Sequence, residues 1–91
     1  MDNKLIARVR RRENDFNLVR EALDDPQRLD ALRLPIGRLQ RYLSSGQWLK
    51  DFEADERGEL PKDMPRGVLS EDGLYNLLAE VQERLRSLPL L

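Results

Sequence analysis

Three stretches of the chain repeat apolar residues at alternating steps of three and four. Leu5, Val9, Phe16, Val19 and Leu23 form the first stripe, with Arg12 in the one position an apolar residue does not fill. Leu29, Leu32, Ile36, Leu39 and Leu43 form the second, and Leu74, Leu78, Val81, Leu85 and Leu88 the third. This spacing keeps one face of an α-helix apolar and is the seam pattern of packed helices. It predicts helices over about 3–24, 26–45 and 70–88.

The flanking residues agree with these limits. Asp2 or Asn3 can cap the first helix, and Asp25-Pro26 reads as an N-cap followed by proline at the first helical position. Gly46 suits the C-terminal end of the second helix. Ser70 is a candidate N-cap for the third, where Glu71 and Asp72 place negative charge at the positive end of the helix dipole, and Pro89 ends it. Pro35 lies inside the second stripe. It removes a donor and crowds the carbonyl of Ala31, so a kink or break is expected there. A short joint between the first two helices makes them an antiparallel hairpin.

Residues 46–69 carry no clean period. The stretch contains Trp48, Phe52, Leu60, Met64, Val68 and Leu69 among many acidic residues, with Gly58, Gly67, Pro61 and Pro65 as breakers. Long irregular segments in small domains are either functional or disordered. This apolar content is too high for disorder. The expected architecture is therefore all-α: a three-helix bundle, or a coiled-coil-like hairpin plus a third helix, with a long ordered loop over about 46–69 packed across the helices. Residues 1–91 form a single domain, of a size at which one core is marginal.

Composition narrows the chemistry. The chain has neither cysteine nor histidine, which removes disulfides, Cys/His zinc sites and every nucleophile that depends on a histidine base. The start lacks the apolar core of a signal peptide and no apolar run reaches membrane-span length, so a cytoplasmic setting without a membrane partner is expected. Residues 1–45 hold ten Lys/Arg against seven Asp/Glu, a net +3, and residues 46–91 hold six against ten, a net −4. That polarity is far from the strongly basic face of a nucleic-acid binder.

Asp51, Glu53 and Asp55 occupy positions 1, 3 and 5 of a possible calcium loop. Position 6 is then Glu56 where glycine is needed, and position 12 is Lys62 where a bidentate glutamate belongs. In an extended stretch these three carboxylates would share one face, with Phe52 and Ala54 on the other. Acidic residues are numerous enough for acid–base work, but no nucleophile, metal-ligand set or phosphate-cradling glycine loop accompanies them, and no catalytic residue, cofactor or metal is assigned. Arg8, Arg10, Arg11 and Arg12 form one basic cluster with no aromatic among them to stack on bases. A solvated helix with arginine stems over apolar surface is the competing reading. Arg66 can pair with Asp51, Glu53 or Asp55 and tie the segment to itself. Tyr42, Trp48 and Tyr75 can wall a pocket, or sit in the core with polar tips at its edge.

The run from Ser45 to Leu78 resembles a family of small uncharacterised bacterial proteins, a domain-of-unknown-function family of about this length. The shared signature is S-G-x-W-x-x-D-(F/Y)-E-x-D-E-x-G-x-L-P-x-D-(L/M)-x-R-G-V-L-S-E-D-x-(L/I)-Y-N-L-L. The resemblance implies a helical fold and no established activity. It assigns Trp48, Asp51, Phe52, Glu53, Asp55, Gly58, Leu60, Pro61, Arg66, Gly67, Ser70, Asp72 and Tyr75 to the signature.

Trp48, Phe52, Gly58, Leu60, Pro61, Gly67 and Ser70 read as fold-making. Asp51, Glu53, Asp55, Asp63, Arg66, Asp72 and Tyr75 are the candidate interaction surface. The expected role is a non-enzymatic interaction protein with an unknown protein partner. A carboxylate-based enzyme or divalent-metal binder using Asp51, Glu53 and Asp55 is the alternative, and a nucleic-acid binder through Arg8–Arg12 is weaker still. A homodimer through helix 1 is also expected. A helix broken at Pro35 would leave Leu5, Ile6 and Val9 uncovered, and Arg12 would need Glu13 or Asp15 of a second chain.

Overall fold

In the computed structural model, residues 2–86 are described, and the expected helix end at Leu88 and Pro89 lies outside them. Five α-helices run in the order α1 (Asn3–Glu21), α2 (Pro26–Ala31), α3 (Arg33–Ser44), α4 (Gln47–Glu56) and α5 (Gly73–Arg86), with a 3-10 turn at Gly67–Leu69. There is no strand among the described residues, and the all-α expectation holds.

The first stripe folds as expected. Asp2 accepts hydrogen bonds from the backbone N–H groups of Lys4 and Leu5 and caps α1. Leu5, Val9, Phe16 and Val19 are buried. Asp25 caps α2 in the same way through Gln27 and Arg28, with Pro26 at the first helical position.

The second stripe is cut earlier than Pro35. α2 ends at Ala31, Leu32 forms the joint, and Pro35 falls in the first turn of α3. There a backbone N–H has no helical acceptor, so the missing donor costs nothing. The break moves upstream until the proline occupies a position that tolerates it. Leu29, Ile36 and Leu39 remain buried on both sides of the joint. α1 and α3 pack as an antiparallel pair, shown by Asp15 meeting Arg38 while Arg8 reaches the level of Tyr42.

The largest departure is α4. Residues 47–56 are helical where a loop was expected, and only 57–66 and 70–72 are irregular. Gly46, at φ +87°, turns the chain out of α3 in the left-handed conformation that favours glycine and serves at once as the N-cap of α4. Gly58, at φ +79°, ends α4. Its N–H donates to Asp55 O while the N–H of Glu59 donates to Ala54 O, which is the paired closure of a Schellman motif.

Ser70 does not cap α5. Its hydroxyl donates to Gly67 O and closes the 3-10 turn, three residues before the helix begins. Leu60, Met64, Val68 and Leu69 seat the connecting segment in the same core as Leu74, Leu77 and Val81 of α5.

Candidate functional site

Asp51 is the most buried carboxylate, 1% exposed, and it projects from α4 into four donors. Arg8 Nε and Nη2 donate to Oδ2 and Oδ1 at 2.9 and 2.8 Å, a bidentate pair. Tyr42 donates its hydroxyl to Oδ2 at 2.6 Å, and Gln47 Nε2 donates to Oδ1 at 2.9 Å. Two donors per oxygen fill the carboxylate's accepting capacity. Burial alone would push its pKa up. The bonds from Arg8, Tyr42 and Gln47 outweigh that and hold it below the ordinary range. Burial, reinforced by the Asp51 bond, pushes the Tyr42 phenol well above its usual value, and the Arg8 guanidinium is held charged by Asp51. Three helices, α1, α3 and α4, therefore meet at one carboxylate.

A second carboxylate, Asp15, does the same for α1 and α3. It is 5% exposed and accepts two bonds from Arg38, each 3.0 Å. Arg12 Nε lies 3.2 Å from Asp15 Oδ2, off the hydrogen-bonding line, and is otherwise unpaired. Arg12 thus finds its carboxylate within its own chain, where a second chain was expected to supply one. With Arg8 and Arg12 both turned onto carboxylates, only Arg10 and Arg11 of the basic cluster are exposed.

The remaining signature residues fix the segment between α4 and α5. Arg66 Nη1 bonds Asp55, and its Nη2 donates to the carbonyls of Pro61 and Lys62 at 2.8 Å each. One guanidinium thereby ties the end of α4 to the returning strand of chain, with Asp55 as its carboxylate out of the three considered. Trp48 Nε1 donates to Val68 O at 2.8 Å, and its half-buried ring stacks on Phe52 with centroids 5.1 Å apart. Glu13 Oε1 accepts from the Val68 N–H at 2.8 Å. The 3-10 turn is thus held on both sides, by α4 and by α1.

The expected shared face of Asp51, Glu53 and Asp55 does not form. Helical steps of 100° send Glu53 to the opposite side from Asp51, and it is exposed. No three acidic side chains among the described residues converge on a point where one cation could sit. Asp63 and Asp72 are exposed.

Tyr75 is 68% exposed, and neither Tyr42 nor Trp48 shares its cleft. It lines an apolar cleft of about 330 Å³ between α3 and α5, with Leu78, Ala79 and Gln82 on its own helix and Gln40, Leu43 and Ser44 opposite. Tyr75 was expected at a pocket wall and Leu43 and Leu78 in the seams, whereas Gln40, Ser44, Ala79 and Gln82 were not singled out, and Leu77 takes the core position expected of Leu78. Tyr75, Leu78, Ala79 and Gln82 follow the i, i+3, i+4, i+7 rule, one step round from the core stripe of Leu74, Leu77 and Val81. That second stripe was the available signal.

The surface expected to drive a helix 1 dimer is covered. Leu5 and Val9 are 3% and 0% exposed within the single chain, Ile6 is partly buried against the same core, and α1 packs chiefly on α3. Among the described residues no helix is long and apolar enough to cross a membrane.

No curated protein and no solved structure matches this chain. The model of a domain of unknown function, DUF4298, matches residues 8–88. That span carries Arg8, Asp15, Tyr42, Asp51 and Arg66, the polar residues on which the packing turns, and the chain belongs to the DUF4298 family.

Proposed function

We propose that the chain is a cytoplasmic, non-enzymatic interaction domain whose contact surface is the cleft between α3 and α5, with Tyr75 as its anchor. The observation that carries this reading is a large aromatic, 68% exposed, standing at the wall of an apolar cleft. Exposed aromatics beside apolar concavities are where protein contacts concentrate their energy. Of the surface expected from sequence, Asp72 and Tyr75 stay together, one turn apart at the start of α5. Glu53 and Asp63 are exposed but do not line the cleft.

The carboxylate chemistry argues in the same direction. A general base needs a free lone pair and a pKa near the working pH. Asp51 has its lone pairs occupied by four donors and its pKa held low. Asp55 and Arg66 neutralise each other inside the connecting segment. These residues supply rigidity to the surface and do not form part of it.

Affinity capture from bacterial lysate tests the reading. The expected result is a protein retained by the wild-type chain, lost with Ala79→Arg and Tyr75→Ala, and kept with Glu53→Lys. Retention unaffected by Ala79→Arg, or abolished only by charge reversal at Glu53 and Asp63, would place the contact elsewhere and defeat the proposal.

A further inference from the structure

We infer that the occupant of the α3–α5 cleft is a second copy of this chain, packed antiparallel through α5 about a two-fold axis between Leu78 and Ala79. The inference rests on the reading of that cleft as the contact surface and names its partner. α5 is complementary to itself in this register and in no parallel one. With the axis at that point, Leu78 of one protomer faces Ala79 of the other, so a large side chain meets a small one. Ala79 is exposed and Leu78 half-buried in the isolated chain, so both have surface to lose. The small Ala79 lets the helix axes approach to the roughly 8–10 Å of packed helices.

The same register sets Tyr75 opposite Gln82. Gln82 lines the cleft, so the phenol of one protomer enters the concavity of the other, where its ring is buried and its hydroxyl meets an amide. At the ends, the register brings the start of one α5, with Glu71 and Asp72 in the turn just before it, to Arg86 at the end of the other. Arg86 is exposed, and its ion pair with Glu83 among the described residues is a long one, 3.4 Å, which a closer carboxylate can replace. Asp72 lies beside Glu71 and strengthens the acidic end. A parallel pairing would set Glu71 and Asp72 against their own copies and Arg86 against Arg86, which repels at both ends. Two-fold contacts of this kind are self-closing and give a dimer without further growth. Among the described residues the other exposed large apolar side chains, Leu18, Leu34 and Leu49, are spread over three different helices.

The absence of cysteine makes the register directly testable by single-site cross-linking. Sedimentation equilibrium of the wild-type chain should give a dimer mass at high micromolar concentration. Ala79→Arg should raise the dissociation constant by roughly thirtyfold or more, with unchanged helical circular dichroism because the site is exposed.

Under mild oxidation Ala79→Cys should link to itself across the axis. Gln82→Cys should not, since its copies stand about 10 Å apart along the helix, seven residues at about 1.5 Å each, beyond the reach of a disulfide. A mixture of Tyr75→Cys and Gln82→Cys chains should link. A monomer mass for the wild type, a dimer indifferent to Ala79→Arg, or efficient self-linking of Gln82→Cys would overturn the inference. If the wild type is monomeric while Ala79→Arg still releases a captured protein, the second-copy inference falls and the interaction reading stands. If neither response is seen, both fall.

Discussion

Asp51 shows what a buried charge does in a domain this small. Its two oxygens gather Arg8, Tyr42 and Gln47, so truncating the carboxylate strands one cation and two neutral donors. Removing one partner of a buried ion pair costs about 3–5 kcal/mol, against a total of about 5–15 kcal/mol for a typical domain. Asp51→Ala should therefore lower the urea midpoint steeply, with unchanged m-value if the fold survives. Arg8→Met in an Asp51→Leu background should recover part of the loss, and a coupling of about 1–3 kcal/mol in that cycle would establish the pair as a unit. Ser70 and Gly73 are coupled sterically. A Cβ on Gly73 would lie 2.1 Å from Ser70 Oγ and 3.3 Å from Gly67 O. Gly73→Ala must turn the Ser70 hydroxyl away from Gly67 O, at a cost of about 0.5–1.5 kcal/mol. In a Ser70→Ala background the same change should be neutral or stabilising, by up to about 1 kcal/mol from helix propensity. Thermal midpoints of the four chains decide whether the hydroxyl is the obstacle.

At the scale of elements, the sequence was most legible where burial and apolarity coincide. α1, α3 and the core stripe of α5 were readable because Leu5, Val9, Ile36, Leu39, Leu74 and Val81 are both apolar and inward. α4 was not, because the side chains it turns inward include Asp51 and the small Ala54, while Leu49 points outward at 53% exposure. A stripe written with carboxylates gives no hydrophobic period, so ten helical residues read as loop. For the same reason Asp51, Asp55 and Arg66 looked like surface chemistry when they are internal ties, while the cleft beside Tyr75 hid next to the core stripe. The pairing of Arg66 with a nearby carboxylate was legible from charge and proximity alone. The tie it makes has a consequence for the segment 57–66, which has no regular structure of its own. Arg66→Ala removes the bonds to Asp55, Pro61 and Lys62 together and should expose this segment to limited proteolysis, with Arg57 and Lys62 as the tryptic sites within it, while α1 and α3 stay protected. Arg66→Lys should not restore resistance, since a single ammonium does not reproduce a planar fork reaching three acceptors. Trp48→Ala should lower stability by about 3 kcal/mol, the low end for an aromatic truncation because the ring is only half-buried, and it also frees Val68 O from its indole donor.

Over the described residues the molecule is drawn out along one axis, 49 × 20 × 18 Å, with a radius of gyration of 13.9 Å against about 12 Å for a compact chain of this length. An elongated bundle has little core per residue, so its polar ties carry an unusual share of its cohesion, and those ties titrate. Asp51 has its folded pKa depressed below the unfolded value. Its contribution is complete above about pH 4, the unfolded carboxylate value, and is lost as pH falls through the lower folded value. Tyr42 has its folded pKa raised. Its contribution is complete below about pH 10 and is lost as pH rises beyond that, because ionising the phenol in place would set a second negative charge against Asp51. Both losses arise at one cluster, one at each end of the pH scale. Tyr42→Phe keeps the ring in the core and removes the proton, so it should lower stability at neutral pH by about 0.5–1.5 kcal/mol, the worth of one hydrogen bond. It should also flatten the alkaline limb of the stability profile while leaving the acid limb in place. Urea titrations of the wild type and Tyr42→Phe between neutrality and pH 11 measure the difference directly. Alkaline limbs of equal slope in the two chains would show that Tyr42 ionises as readily in the folded chain as in the unfolded one, and that its bond to Asp51 contributes nothing to the junction of α1, α3 and α4.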